Sequence, residues 1–261
     1  MYNYKRNINL DNIPYDINNG IISFDISNTG KNTVGMFKDG VTNLENKKNI
    51  NQKNIYAIDD FSYVSDLTYL WDLHKLGMRI LSLNGSDSGI YGSGNKTRCG
   101  LTFRGGILVK SAVSLNIALN ISDSNKETIN DIIKQYEYIN ESPFLISDMN
   151  KPTSMLEYLG TLDTFLLCNI DSIDLYDKLL KLVNNGYPTN RIIITGGNYF
   201  DRKNIFGKNI SEEKSVFKTL KKDFSKDEID NFINYNYKWL YDLLYNNGYI
   251  DDNEIVDEKL I

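Results

Sequence analysis

The chain carries one histidine, His74, and two cysteines, Cys99 and Cys168, that form no C-x-x-C pair. That inventory excludes a disulfide framework, a cysteine-rich zinc site and a histidine-rich metal centre as its organising chemistry. What the sequence supplies is carboxylate. Asp25, Asp59, Asp123 and Asp148 stand at or just past the ends of short apolar runs, and Asn198 follows another. Carboxylates such as Asp59, Asp123 and Asp148, if they converge, make an all-oxygen site that suits Mg²⁺, Mn²⁺ or Ca²⁺ and disfavours zinc. Singly, each also reads as a solvated strand end, and Asp123 as the N-cap of a helix starting near Lys126. Ser27 has no neighbouring base to make it a nucleophile. Cys168 reads as a buried structural thiol. His74, alone on a helix, reads as a packing or surface residue. Gly196-Gly197-Asn198 reads as a tight turn, with a ligand-approach role as the alternative. Gly92-Ser93-Gly94 and Gly105-Gly106 lack the strand-to-helix context of a dinucleotide fingerprint.

Such residues need a scaffold that brings run ends together. Candidate strands are Ile21–Asp25, Thr33–Phe37 (the weakest), Asn54–Asp59, Arg79–Leu83, Ile117–Ile121, Phe144–Ser147, Thr164–Cys168 and Arg191–Thr195. Several are continuously apolar, as strands buried on both faces are. Helical spacing lies between them. Leu67, Leu70, Trp71 and His74 share one face, and so do Ile129, Ile132, Ile133 and Tyr136, behind a capping box at Ser124 and Glu127. Leu175, Leu179 and Leu182 form a third stripe before Asn185-Gly186. The alternation predicts an α/β protein, a single (β/α)8 TIM-type barrel closed by C-terminal helices, with a doubly wound open sheet as runner-up. Residues 1–261 form one domain in this reading, with 1–18 as an N-terminal extension and 211–261 as C-terminal helices and acidic tail. Tyr235, Tyr237, Trp239, Tyr241 and Tyr245 have the spacing of a helix packed under the barrel, or else of a partner-binding face.

Lys plus Arg number 29 against 34 Asp plus Glu, a net charge of -5. With no basic surplus, nucleic acid is not an expected partner. No apolar run reaches the length of a membrane span, and MYNYKRNINLDN lacks a signal-peptide core, so the expected location is cytoplasmic with no membrane partner.

The stretches LHKLGMRILSLNGSD, GLTFRGGILVKSAVSLNIALNISD and TINDIIKQYEYINESPFLISD resemble, in order and spacing, blocks of the membrane dipeptidase (renal dipeptidase) family. RIIITGGNYFD resembles that family's V-G-x-G-[SG]-D-F-D-G strand end, and FSKDEIDNFINYNYKWLYDLL its closing helices. The resemblance covers most of residues 21–245 and is weakest from Lys31 to Lys53. It implies a (β/α)8 barrel and, in the family, two zinc ions that hydrolyse dipeptides.

At the positions the resemblance assigns to that chemistry, this chain departs from the family. Ser27 and Thr29 fall on the first metal motif's His and Asp. Asp59 falls on the bridging Glu, with Asp60 as a one-residue alternative. Gly85 falls on the substrate-contacting His, and Asp123 and Asp148 on two further His ligands. Asn198 falls on the acid/base Asp, and an amide cannot accept a proton. The resemblance therefore implies a catalytically degenerate dipeptidase-like barrel without a cofactor, binding a peptide-like or amino-acid-like small molecule. Two alternatives stand beside it. One is an active dipeptidase or amidohydrolase using Asp59, Asp123 and Asp148 for a hard divalent cation. The other is an interaction subunit, including a homodimer through the tyrosine-rich helices.

Overall fold

A computed structural model describes residues 15–18, 21–24, 33–46, 54–85, 87–141, 143–149, 151–162, 164–169, 175–195 and 219–246. The strands are β1 (Tyr15–Asn18), β2 (Ile21–Phe24), β3 (Ile55–Ile58), β4 (Met78–Ser82), β5 (Ala118–Asn120), β6 (Leu145–Asp148), β7 (Phe165–Asn169) and β8 (Ile192–Thr195). The helices are α1 (Thr33–Asn46), α2 (Tyr69–Lys75), α3 (Phe103–Ser114), α4 (Lys126–Tyr138), α5 (Thr153–Gly160) and α6 (Leu175–Asn184). They are followed by α7 (Lys226–Asp230), a π-helical turn (Asn231–Tyr235) and α8 (Asn236–Asn246). Among the described residues no helix is long and apolar enough to cross a membrane.

The closed barrel of eight parallel strands is not what forms. The eight strands lie in the linear order β1 to β8. β2 through β8 pair in parallel, while β1 runs antiparallel to β2, with Asn18 opposite Ile21. The physical reason is edge occupancy. β2 already has β1 on one side and β3 on the other, so it has no free edge for β8 to join. Among the described residues no pairing closes the sheet. In the sequence, Asn19-Gly20 between two short runs is a hairpin signal, and the strand before it, β1, lies in the stretch 1–18 that was expected to be an extension. The expected strand Thr33–Phe37 is instead the start of α1. Phe37 and Val41, four apart, are both buried there, a helical and not an alternating period.

The sheet is nevertheless curled. From Asn236 to Tyr245, α8 spans about 14 Å at 1.5 Å per residue. In that length Asn236 bonds the carbonyls of Thr189 and Ile192 beside β8, and Trp239 packs on Phe165 of β7. Asn116, just before β5, reaches the Leu243 and Leu244 carbonyls, while the Tyr245 hydroxyl bonds Gly77 and Asn54 before β4 and β3. A flat sheet would hold β3 and β8 about 24 Å apart, five spacings of about 4.8 Å. One short helix touches both because the sheet wraps around it.

Strand alternation then makes two cores. Ile55, Ala57, Ile80, Ala118, Ile146, Phe165 and Ile193 face inward and pack with Leu240 and Leu244 of α8. Leu119, Leu145, Leu166, Ile192 and Ile194 face outward against the helices. Ile129, Ile132, Ile133 and Tyr136 of α4 and Leu175, Leu179 and Leu182 of α6 supply that outer layer as their spacing requires. In α2 the buried pair is Leu70 and Leu73, and Trp71 turns out to 37% exposure. Four of the C-terminal aromatics, Tyr237, Trp239, Tyr241 and Tyr245, pack against the inner core, whereas Tyr235 is 62% exposed.

Candidate functional site

With α8 sealing the amino-terminal ends of the strands, the inner face is approached from their carboxyl ends. In open parallel sheets ligands bind at that edge. Period-two alternation carries the inner face upward from Ala57 to Asp59, from Ile80 to Ser82, from Ala118 to Asn120 and from Ile146 to Asp148. A polar layer therefore sits on the apolar one. Just beyond it come Asp60, Asp123 and Lys151, from the segments after β3, β5 and β6.

These segments are fixed by short-range bonds. Asp60 holds a left-handed backbone (φ 90°), and its carboxylate accepts from the Ser62 amide and hydroxyl. Asn120 Oδ1 accepts from the Ser122 amide and hydroxyl, and Ser122 Oγ in turn accepts from the Asp148 amide at 3.0 Å. The Asp59 amide donates to the Phe24 carbonyl, extending the β2–β3 ladder. The segment between β4 and α3 lies over α4 and is tied there by Thr128, whose hydroxyl accepts from the Ser93 amide (3.1 Å) and donates to its carbonyl (3.0 Å). The Asn95 amide donates to the Asp123 carbonyl. The N-cap of α4 is Asn125, whose Oδ1 accepts from Thr128 at 2.7 Å, so neither Asp123 nor the expected Ser124–Glu127 box caps it.

Lys151 is the residue that the motif reading passed over. It is 8% exposed, and its ammonium donates to the Ser124 carbonyl at 2.5 Å. Burial pulls its pKa down, against the Asp148 and Asp123 carboxylates that favour its charged form. Burial pushes the Asp123 carboxyl up, the Asp148 carboxylate adds to this, Lys151 opposes it, and Asp60 adds a smaller push. Asp60, Asp123, Asp148 and Lys151 thus share one electrostatic neighbourhood. The available signal was positional: Lys151 follows the strand-terminal Asp148 by three residues and precedes Pro152, whose ring disfavours a helical backbone at Lys151.

The other expected site residues divide. Asp59 and Asp148 stand at the carboxyl ends of β3 and β6, and Asp123 in the turn after β5. Asp60, the one-residue alternative to Asp59, is the member of that pair that faces Asp123 electrostatically. Gly85 lies against it: a Cβ at Gly85 would sit 2.7 Å from Asp60 Oδ2, so a side chain there would collide with the carboxylate. Ser27, Thr29 and Asn198 lie outside the described residues. Cys168 is fully buried on the outer face, with its thiol pKa raised first by burial and then by Asp148.

The zinc pair that the resemblance implies does not fit the donors present. The described edge offers carboxylates and a lysine ammonium where zinc favours imidazole. Gly85 brings no ligand or substrate-binding side chain, and one placed there would require the Asp60 carboxylate to shift. Among the described residues no group of three or more His, Cys, Asp or Glu is placed to hold an ion.

No protein-family model and no curated protein sequence matches the chain. Among solved structures, an amidohydrolase from Pseudomonas aeruginosa is similar with a TM-score of 0.65 and 14% identity, over 86% of this chain and 88% of that one. A probable 2-pyrone-4,6-dicarboxylic acid hydrolase from Acinetobacter baumannii, solved with citric acid bound, gives 0.49 and 12% identity over 82% and 80% of the two chains. The membrane dipeptidase patterns thus have no family match behind them, and what the chain shares with the first of these structures is its fold.

Proposed function

We propose that this is a hydrolase-type scaffold that has left dinuclear zinc dipeptide hydrolysis. In this reading it binds a peptide-like or amino-acid-like small molecule at the carboxyl edge of the sheet. The observation that carries the reading is one buried ammonium, Lys151, held by the Ser124 carbonyl within the electrostatic reach of the Asp123 and Asp148 carboxylates on neighbouring strand ends. Groups of both signs, partly withdrawn from water, match a zwitterion: Lys151 toward its carboxylate, the aspartates toward its ammonium. The likeness to an amidohydrolase fold supports a hydrolase ancestry. Asn198, an amide at the position the resemblance gives to the acid/base carboxylate, speaks against peptide cleavage.

The test is a thermal-shift series with free amino acids and dipeptides against their N-acetyl and ester forms. A ligand at one hundred times its dissociation constant stabilises by about 2.7 kcal/mol, enough to resolve. The reading expects shifts from zwitterions that the capped forms do not reproduce, and no dipeptide cleavage. The absence of a shift across the series overturns the binding reading. Cleavage that requires Mn²⁺, Mg²⁺ or Ca²⁺ and is lost in Asp123→Asn/Asp148→Asn favours instead a hydrolase with a hard-cation site on these carboxylates.

A further inference from the structure

We infer that Ser82 and Asn120 form a two-donor floor beneath the charged carboxyl edge, and that this floor takes the amide carbonyl of a peptide-like ligand. The two residues stand opposite one another in register on the neighbouring strands β4 and β5. Ile80 and Ala118, two residues earlier on the same strands, face the inner core, so alternation turns Ser82 and Asn120 to that face as well. Their strands lie about 4.8 Å apart, less than two hydrogen-bond lengths of about 2.9 Å, so one oxygen between the side chains can meet both. Ser82 is only 7% exposed, and among the described residues nothing bonds its hydroxyl. A buried hydroxyl left so is costly and calls for a partner from outside the chain.

The amide of Asn120 is oriented by bonds of its own. Its Oδ1 accepts from the Ser122 amide at 3.1 Å and from the Ser122 hydroxyl at 2.7 Å. A backbone N–H only donates, so the atom it meets is the oxygen, and Nδ2 is the end left without an acceptor among the described residues. The Ser82 hydroxyl donates or accepts, whereas Nδ2 only donates, so a single atom that satisfies both is an acceptor. Two neutral donors suit a carbonyl oxygen. Charge stands above them: Asn120 pairs in register with Ile146, so Asp148 lies one inner-face step further along β6, with Asp123 and Lys151 in the segments beyond. A zwitterion whose charged ends meet that rim has its amide carbonyl left for the floor. A free amino acid has no second carbonyl, so the site selects dipeptides and other amide-bearing zwitterions over plain amino acids.

The inference rests on the zwitterion reading proposed above and adds the carbonyl to it. The experiment is calorimetric titration of the intact chain with glycylglycine and with 5-aminopentanoate, which keeps both charged ends and replaces the amide by two methylenes. Wild type is compared with Ser82→Ala and with Asn120→Asp, which keeps an oxygen for Ser122 and loses the Nδ2 donor. The ratio of the two affinities is the readout, because any effect of the added aspartate charge acts on both ligands. Wild type is expected to bind glycylglycine more tightly, and each variant to narrow the ratio by roughly threefold to tenfold, the worth of one neutral hydrogen bond. Should Asn120→Asp fail to fold, Ser82→Ala decides alone. Equal affinity of wild type for the two ligands, or a ratio that Ser82→Ala leaves unchanged, would overturn the inference while the zwitterion reading stands. Binding of neither ligand by wild type would overturn both.

Discussion

Replacing Thr128 by valine should loosen the segment that lies over α4 beside the carboxyl edge, and the structure fixes how much. Thr128 is fully buried, and its hydroxyl both accepts from the Ser93 amide and donates to the Ser93 carbonyl. The carbonyl keeps a second donor, the Asn125 amide at 3.2 Å. The Ser93 amide has Thr128 Oγ1 as its hydrogen-bond acceptor, in a residue only 3% exposed. Valine therefore strands one buried amide, at about 1–3 kcal/mol, and removes one of two bonds to a carbonyl, at about 0.5–1.5 kcal/mol. Together the loss is about 1.5–4.5 kcal/mol. Serine keeps the hydroxyl and deletes the methyl that lies against Gly92, for about 1 kcal/mol. The order of stability should be threonine, serine, valine, although valine is the most apolar and fills the space best. Urea unfolding with unchanged m-values measures it, and amide exchange at Ser93 should accelerate in the valine variant. A valine variant as stable as the serine variant would refute the hydrogen-bond argument.

Two further outcomes follow from local geometry. Gly105→Ala places a Cβ 1.9 Å from the Tyr91 carbonyl oxygen, at the buried contact between α3 and the segment before it, and should cost at least about 1–3 kcal/mol of stability, read as a lower urea midpoint at unchanged m-value. His74 has its pKa lowered to about 4, first by burial and then by Arg79. The folded state then binds fewer protons than the unfolded one, so stability is full above the ordinary histidine value of about 6.5. It is lost as pH falls from there toward about 4. His74→Gln should flatten that part of the pH–stability curve measured by thermal unfolding, and an unchanged slope would sink the assignment.

The sequence carried much of the scaffold and less of its closure. RIIIT and the other continuous apolar runs form parallel strands because a strand buried on both faces needs apolar residues at every position. The stripes of α4 and α6 show equally plainly, since burial on one face imposes its period. The barrel expectation failed on a single edge. Counting run after run cannot tell whether the strand beside β2 arrives in parallel from the far end of the chain or antiparallel from a hairpin. Asn19-Gly20 held that information. Strand-end position was legible for Asp59, Asp123 and Asp148, which stand at or just past the carboxyl ends of β3, β5 and β6, because polar residues collect where strands leave the core. Lys151 escaped notice because a lysine in a loop is ordinarily solvated. It lies beside the Ser124 carbonyl and near the Asp123 and Asp148 carboxylates because β5 and β6 are neighbours in the sheet, a pairing that the local sequence does not spell out.

The most direct test of the account is zinc content and dipeptide hydrolysis measured on the same sample. The chain is loaded with Zn²⁺, dialysed, analysed by elemental mass spectrometry and assayed with dipeptides. The account predicts folded protein with no stoichiometric zinc and no cleavage, because imidazole ligands are absent and no group of three or more His, Cys, Asp or Glu among the described residues is placed to hold an ion. Retention of one or two zinc ions per chain, with cleavage that Asp123→Asn/Asp148→Asn abolishes, would contradict it.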